Sequence, residues 1–135
     1  MFIEEVKIIF SHESALFLNG MSEGEPDPIS LTVPRGYHSK KMEECDLRVY
    51  RVSTEKFDLG LIELESPSGS IVRAYDIERT LCGLLRSQSK VDYQDLISAF
   101  KSYVQCKDKN IPYLLRYAKE FRVSNKLKPY LEVLL

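Results

Sequence analysis

The feature that most constrains the fold is a change in hydrophobic period near residue 76. Before it, the stretch "GLIELESPSGSIVRAY" alternates with a period of two, which is typical of strands. After it, apolar residues recur every three or four positions: Ile77, Leu81, Leu84 and Leu85. This second spacing is that of one helix face. We therefore expect a sheet in the first part of the chain and helices in the second.

The alternating stretch predicts a hairpin with arms at Gly60–Glu65 and Ser70–Tyr75. Between the arms, the four residues "SPSG" place Pro second and Gly fourth, as a type I turn favours. Two more alternating, β-branched runs, "ISLTV" and "LRVYRV", predict further strands, and Pro34 ends the first of them. The polar segment "RGYHSKKMEECD" between these runs is expected to be a connection without regular structure.

Along the chain, helices are predicted both before and after the strands. A short one begins at Ser11, whose hydroxyl can cap it, and ends at Gly20. Four more begin close to four polar residues: Asp76, Asp92, Asn110 and Ser124. Their expected apolar faces include Tyr93 and Leu115, and Pro129 is expected to begin or bend the last helix rather than lie in its middle.

These elements predict an α+β fold. It comprises an N-terminal helix, a small, mostly antiparallel sheet with a hairpin, and a C-terminal bundle of about four helices. A length of 135 residues favours a single domain, residues 1–135.

Composition limits the function classes. No segment is apolar for eighteen residues, so no membrane span is expected. The acidic start "MFIEEVK" is unlike a secretory signal, and this difference favours a location in the cytoplasm. The three cysteines, Cys45, Cys82 and Cys106, form no CxxC pair, which argues against a disulfide framework. His12 and His38 are not at metal-ligand spacing from them, so neither a metal nor another cofactor is expected.

The stretch "AYDIERTLCGLL" concentrates charged and polar residues at a helix start. Helix initiation accounts for Asp76 and Glu78, because acids are favourable in a first turn. Arg79 and Thr80 point off the apolar face, which leaves open a buried ion pair or a contact with a partner. A metal-dependent nuclease that uses Asp76 and Glu78 is the enzymatic alternative, although side chains two positions apart on a helix diverge.

The charge distribution is asymmetric. Residues 1–85 carry 9 Lys and Arg against 15 Asp and Glu, whereas residues 86–135 carry 10 against 5. The basic second part could attract nucleic acid or an acidic protein surface, or it could simply be solvated. In the first part, the loop "VPRGYHSKK" groups Arg35, Lys40 and Lys41 with Tyr37, which suits phosphate or carboxylate binding but also an ordinary charged loop.

Several stretches, taken in order, resemble the C-terminal domain of the AbiEi family. The family comprises the antitoxin and transcriptional regulator of a bacterial abortive-infection (type IV) toxin–antitoxin system. The matching stretches are "FSHESALFLNGMSE", "PDPISLTVPRGYHSK", "SGSIVRAYDIERTLCGLLRS", "DYQDLISAFKSYV" and "IPYLLRYAKEFRVSNKLKPYLEVLL". Gly83 departs from the pattern, since the family usually has aspartate after the cysteine. The winged helix-turn-helix that family members carry before this domain has no counterpart in residues 1–135.

The resemblance implies a non-enzymatic antitoxin domain without a cofactor. Its partner would be a cognate toxin of the nucleotidyltransferase type, which the domain would counter by direct binding or indirectly. The domain would also contribute to operon autoregulation and phage defence. The other alternative is a simple dimerisation domain of a transcriptional regulator, in which case the chain would form a homodimer. The residues expected to counter the toxin are Arg35, Tyr37, Lys40, Lys41 and Arg79. The residues expected to contact DNA phosphates are Arg116, Lys119, Arg122, Lys126 and Lys128.

Overall fold

The structure is a computed structural model that describes residues 8–134. The described chain divides into two compact units, of which unit 1 ends at Asp76 and unit 2 begins at Ile77. Unit 1 contains a five-stranded sheet, and unit 2 is helical. The predicted α+β class is confirmed, while the assignment of residues 1–135 to a single domain stays a prediction.

Unit 1 is built on one sheet, whose strands are β1 (Ile9–Phe10), β2 (Ile29–Pro34), β3 (Leu47–Val52), β4 (Leu61–Glu65) and β5 (Ile71–Tyr75). Their order across the sheet is β3-β2-β1-β5-β4. The strands predicted from "ISLTV" and "LRVYRV" are confirmed, whereas β1 was not predicted. Two paired residues are too few to show a period, although β1 lies in the middle of the sheet.

The expectation of a mostly antiparallel sheet is wrong, because the sheet is mixed. Strands β1 and β2 are antiparallel, as are β4 and β5, but β2 runs parallel to β3 and β1 runs parallel to β5. A parallel neighbour requires a connection long enough to return along the sheet. Residues 35–46 provide it and contain a short helix, α2 (Lys40–Glu44), where a loop was expected.

The predicted hairpin is confirmed at its turn. The backbone amide of Gly69 donates to the carbonyl of Ser66 at 2.9 Å, and the Ser66 amide donates to Ser70 at 2.8 Å. Gly69 has φ +90°, a conformation that glycine adopts without steric cost. Helix α1 (His12–Leu18) also ends as predicted, since Gly20 has φ +79° and the Met21 amide donates to Leu16 at 2.8 Å.

Unit 2 contains the four predicted helices. They are α3 (Ile77–Arg86), α4 (Tyr93–Val104), α5 (Ile111–Glu120) and α6 (Ser124–Leu134). Asp92 caps α4 by accepting from the Gln94 amide at 2.8 Å, and Asn110 caps α5 by accepting from the Tyr113 amide at 3.1 Å. The sequence located both caps correctly because a capping side chain acts on its own helix, within three residues.

Helix α3 is the centre of unit 2. Helices α4, α5 and α6 all pack against it, and every residue from Glu78 to Leu85 is buried. The outer helices are amphipathic, but the assignment of two residues to their apolar faces is wrong. Tyr93 is 60% exposed and Leu115 is 50% exposed, whereas Tyr103 and Tyr117 are buried.

The expectation for Pro129 is also wrong, because this proline lies inside α6 rather than at its start. Proline removes one helical hydrogen bond, the one that the Asn125 carbonyl would otherwise accept. Both residues are exposed, so water can solvate that carbonyl. Among residues 8–134, no helix is long and apolar enough to cross a membrane.

Arg122 follows α5 with φ +57°, the left-handed position at which glycine commonly ends a helix. We expect Arg122→Gly to raise the free energy of unfolding by about 0.5–1 kcal/mol, because relief of roughly 1–2 kcal/mol of backbone strain exceeds the entropy that glycine adds to the unfolded chain. Urea denaturation followed by circular dichroism measures the change. Arg122→Ala removes the same charge without relieving the strain, so equal stabilisation by both variants would contradict this account.

Candidate functional site

The loop after β2 carries the predicted basic cluster of unit 1. Arg35, Lys40 and Lys41 are exposed, and Gly36 turns the chain with φ +88°. The turn is held by the backbone, since the Tyr37 amide donates to Pro34 at 3.1 Å and the Arg35 amide donates to Val52 at 2.8 Å. Three cationic side chains therefore extend from a segment fixed to the end of the sheet.

Tyr37 anchors this basic loop rather than extending from it. Its ring packs against a buried cluster of Leu31, Val33 and Met42, and its hydroxyl is buried without a hydrogen-bond partner among the described residues. Met42 belongs to α2 and is itself 6% exposed. Because Met42 is buried, the exposed Lys40 and Lys41 of the same short helix are held at the surface of unit 1.

Arg51 belongs to this site although the sequence did not predict it. Arg51 lies on β3 opposite Val33 of β2, and its guanidinium donates to the Tyr37 carbonyl at 3.2 Å. It also lies 3.4 Å from Nδ1 of His38. Arg51 therefore adds a fourth cationic side chain next to the loop. The sequence hid this contact because it depends on the register between β2 and β3.

The structure contradicts the placement of Arg79 on a toxin-countering surface. Arg79 is only 3% exposed, and its guanidinium carbon lies 3.8 Å from the centre of the Phe121 ring. This geometry is that of a buried cation–π contact. The prediction failed because it assumed that α3 has a solvent face, whereas three helices pack around it.

Glu78 links three helices of unit 2. Its carboxylate is buried and accepts two hydrogen bonds, from the Tyr103 hydroxyl at 2.8 Å and from the Asn110 amide at 3.0 Å. The Asn110 amide also lies 3.0 Å from the Tyr103 hydroxyl, so three groups meet at one point. Burial, and next the hydrogen bond to Glu78, raise the pKa of Tyr103 above its usual range. Glu78 thus joins α3 to α4 and to the start of α5.

These contacts bear on the nuclease alternative. The Glu78 carboxylate is buried, and one of its oxygens accepts both hydrogen bonds inside the bundle. Asp76 lies at the end of β5, where its amide donates to Gly60 at 2.8 Å. Among the described residues, no group of three or more histidine, cysteine, aspartate or glutamate side chains is arranged to hold a metal ion.

The predicted phosphate-contacting residues are all exposed in unit 2: Arg116, Lys119, Arg122, Lys126 and Lys128. Arg116 and Lys119 lie one turn apart on α5, and the Arg116 guanidinium is 5.8 Å from the centre of the Tyr113 ring. Lys126 and Lys128 lie on α6. Their exposure meets the first requirement for binding a phosphate backbone, and the contact itself stays a prediction.

A second polar cluster, in unit 1, was not predicted. Ser11 precedes α1, but its side chain does not cap the helix as expected. Its hydroxyl accepts from the Thr32 hydroxyl at 2.8 Å and lies 2.7 Å from Nδ1 of His12. His12 is 4% exposed with φ +53°, and its ring stacks on Tyr50 with the ring centres 3.6 Å apart. This burial indicates a packing role for the serine–histidine pair.

No protein-family model matches the sequence, and a search of curated proteins gives no match either.

We expect Tyr103→Phe to lower the free energy of unfolding by about 1–3 kcal/mol, because Glu78 then loses one of its two donors inside the bundle. Chemical denaturation followed by circular dichroism measures the loss. Tyr113→Phe is the matched control, since Tyr113 is 47% exposed, and we expect a change within about 0.5 kcal/mol. Equal effects of the two substitutions would contradict the role assigned to Tyr103.

Proposed function

We propose that this chain is a non-enzymatic antitoxin domain of the AbiEi type, which acts in the cytoplasm and counters a nucleotidyltransferase-type toxin. The proposal rests on the ordered resemblance of five stretches that together cover nearly the whole chain. The observation that best supports a binding role is the fixed loop that presents Arg35, Lys40 and Lys41 to solvent. Such a toxin uses a nucleoside triphosphate and Mg²⁺, and this domain requires no cofactor of its own.

The basic loop suits a protein partner with exposed carboxylates or a phosphate-bearing surface. Arginine and lysine bind both groups through charge-assisted hydrogen bonds, and a fixed loop loses little entropy on binding. Arg51 lies beside the loop and supplies another guanidinium. We therefore assign the toxin-countering surface to Arg35, Lys40, Lys41 and Arg51, with Tyr37 as the residue that positions the loop.

The second part of the proposal concerns autoregulation and phage defence. Exposed basic residues on α5 and α6 would contact DNA phosphates and support operator binding by the regulator. These contacts would be insensitive to base sequence, because phosphate contacts position a protein on DNA without reading its bases.

The toxin-countering role predicts a growth phenotype. When the chain is co-expressed with its cognate nucleotidyltransferase-type toxin, we expect growth to be restored. We expect the triple variant Arg35→Ala, Lys40→Ala and Lys41→Ala to restore growth at least tenfold less well in colony counts, because it removes the cations of the loop. The chain level must be equal in both strains, as checked by immunoblotting.

The control for this experiment is Lys107→Ala with Lys109→Ala, which removes two exposed lysines from unit 2 and leaves the loop intact. We expect this double variant to restore growth fully. Full rescue by the triple variant would refute the assignment of the loop. Absence of rescue by the folded wild-type chain would refute neutralisation by this domain.

The DNA-binding role predicts weak, salt-sensitive binding. We expect the variant Arg116→Ala with Lys119→Ala to bind duplex DNA less tightly, whatever its sequence. The slope of log K against log salt should become shallower by about 0.9 for each phosphate that the variant no longer neutralises. Fluorescence anisotropy between 50 and 200 mM salt, roughly the range over which such binding weakens strongly, measures both effects. An unchanged affinity and slope would contradict the assignment.

A further inference from the structure

A groove of about 640 Å³ lies in unit 2 between α4 and α6. Helix α4 contributes Tyr93, Ile97 and Lys101, which are spaced four residues apart and so form one stripe along the helix. Helix α6 contributes Lys126, Pro129, Tyr130 and Val133. The last three follow Lys126 by three, four and seven positions, so these residues also form one stripe along their helix. One face of each helix therefore bounds the groove.

Much of this groove is apolar surface that the described chain leaves exposed. Val133 is 82% exposed, more than any other large apolar residue described in unit 2, and Tyr93 is 60% exposed. Beside them, Tyr130 stacks on Phe100 with the ring centres 4.6 Å apart, which ties the groove to the buried core. An apolar surface on a well-packed base is typical of a docking site.

The two charged side chains that line the groove among the described residues are both basic. Lys101 and Lys126 line it, no carboxylate does, and neither lysine forms an ion pair with another described residue. Three acids lie near the lining residues in the sequence: Asp92, whose carboxylate caps α4, Asp95, which is exposed in the first turn of α4, and Glu132, which is exposed beside Val133. Residues 86–135, which include the whole groove, carry five more basic than acidic side chains. An occupant that combines apolar and acidic groups would complement both the surface and its charge.

The lining distinguishes a peptide from a nucleic acid. Single-stranded nucleic acids bind along series of open aromatic faces, but of the two tyrosines in the groove only Tyr93 is largely exposed, and one face of the Tyr130 ring is covered by Phe100. Aliphatic side chains such as Ile97 and Val133 are better matched by leucine-like residues of a helical peptide. The volume is also large enough for several side chains, since binding sites for drug-sized ligands span about 300–1,000 Å³.

We propose that this groove docks a short, acidic, amphipathic segment of a partner protein, whose apolar side chains fill the space between α4 and α6 and whose carboxylates pair with Lys101 and Lys126. The inference does not depend on the antitoxin function. It shares only Lys126 with the proposed DNA contacts.

The test begins with selection of random peptides displayed on phage against the complete, purified chain. We expect the enriched peptides to combine aspartate or glutamate with large apolar residues. The best of them is then synthesised with a fluorophore, and its dissociation constant is measured by anisotropy. We expect at least tenfold weaker binding for Val133→Asp and for Lys101→Glu with Lys126→Glu. The control Lys107→Glu, an exposed charge reversal outside the groove, should bind as wild type does.

All of these variants change side chains that line an open groove or are exposed, and circular dichroism checks that each is folded. The proposal is overturned if no peptide is enriched, if the enriched peptides lack acids, or if they bind the groove variants normally. Sedimentation that shows self-association abolished by Val133→Asp would assign the groove to a second copy instead. DNA binding that is abolished in both groove variants, without peptide enrichment, would assign it to nucleic acid.

Discussion

The helical unit depends on the buried carboxylate of Glu78. A buried carboxylate is costly unless it is hydrogen-bonded, so its two donors must stay in place. One donor is a side chain of α4, the Tyr103 hydroxyl, and the other is the backbone amide of Asn110 at the start of α5. Since Asn110 also caps α5, the same few atoms fix where three helices meet. Hydrophobic packing alone would be compatible with several helix arrangements, whereas this contact selects one.

The sheet unit uses hydroxyl groups for the same purpose. The Ser30 hydroxyl accepts from the Ser14 amide at 3.0 Å and donates to the Ser11 carbonyl at 2.7 Å, while the Ser14 hydroxyl accepts from the Ser30 amide at 2.9 Å. These reciprocal bonds hold α1 on β2, with all three serines buried. The histidine in the left-handed conformation beside them, His12, is held by the stacking of its ring on Tyr50. Polar groups therefore position the elements in both units, and apolar burial supplies the driving force.

This arrangement separates two kinds of charged residue that look alike in the sequence. Glu78 and Arg79 are buried within or against helices, so their charges serve the framework. Arg35, Lys40 and Lys41 extend into solvent from a loop that Tyr37 and Met42 hold down. A binding function is therefore better sought in the second group and in the exposed groove between α4 and α6. The charged residues at the start of α3 therefore contribute to the packing of unit 2.

The sequence by itself determined the features that act over a few residues. The hairpin turn, the caps at Asp92 and Asn110, the glycine that ends α1 and the α+β class followed from local stereochemistry and period. Tertiary structure alone decided that β2 and β3 are parallel, that β1 lies in the middle of the sheet and that α3 has no solvent face. It also brought Glu78 to Tyr103, Arg51 to the basic loop and Tyr93 to the same groove as Val133. These outcomes join positions far apart in the chain, and a single sequence carries no local signal for such distances.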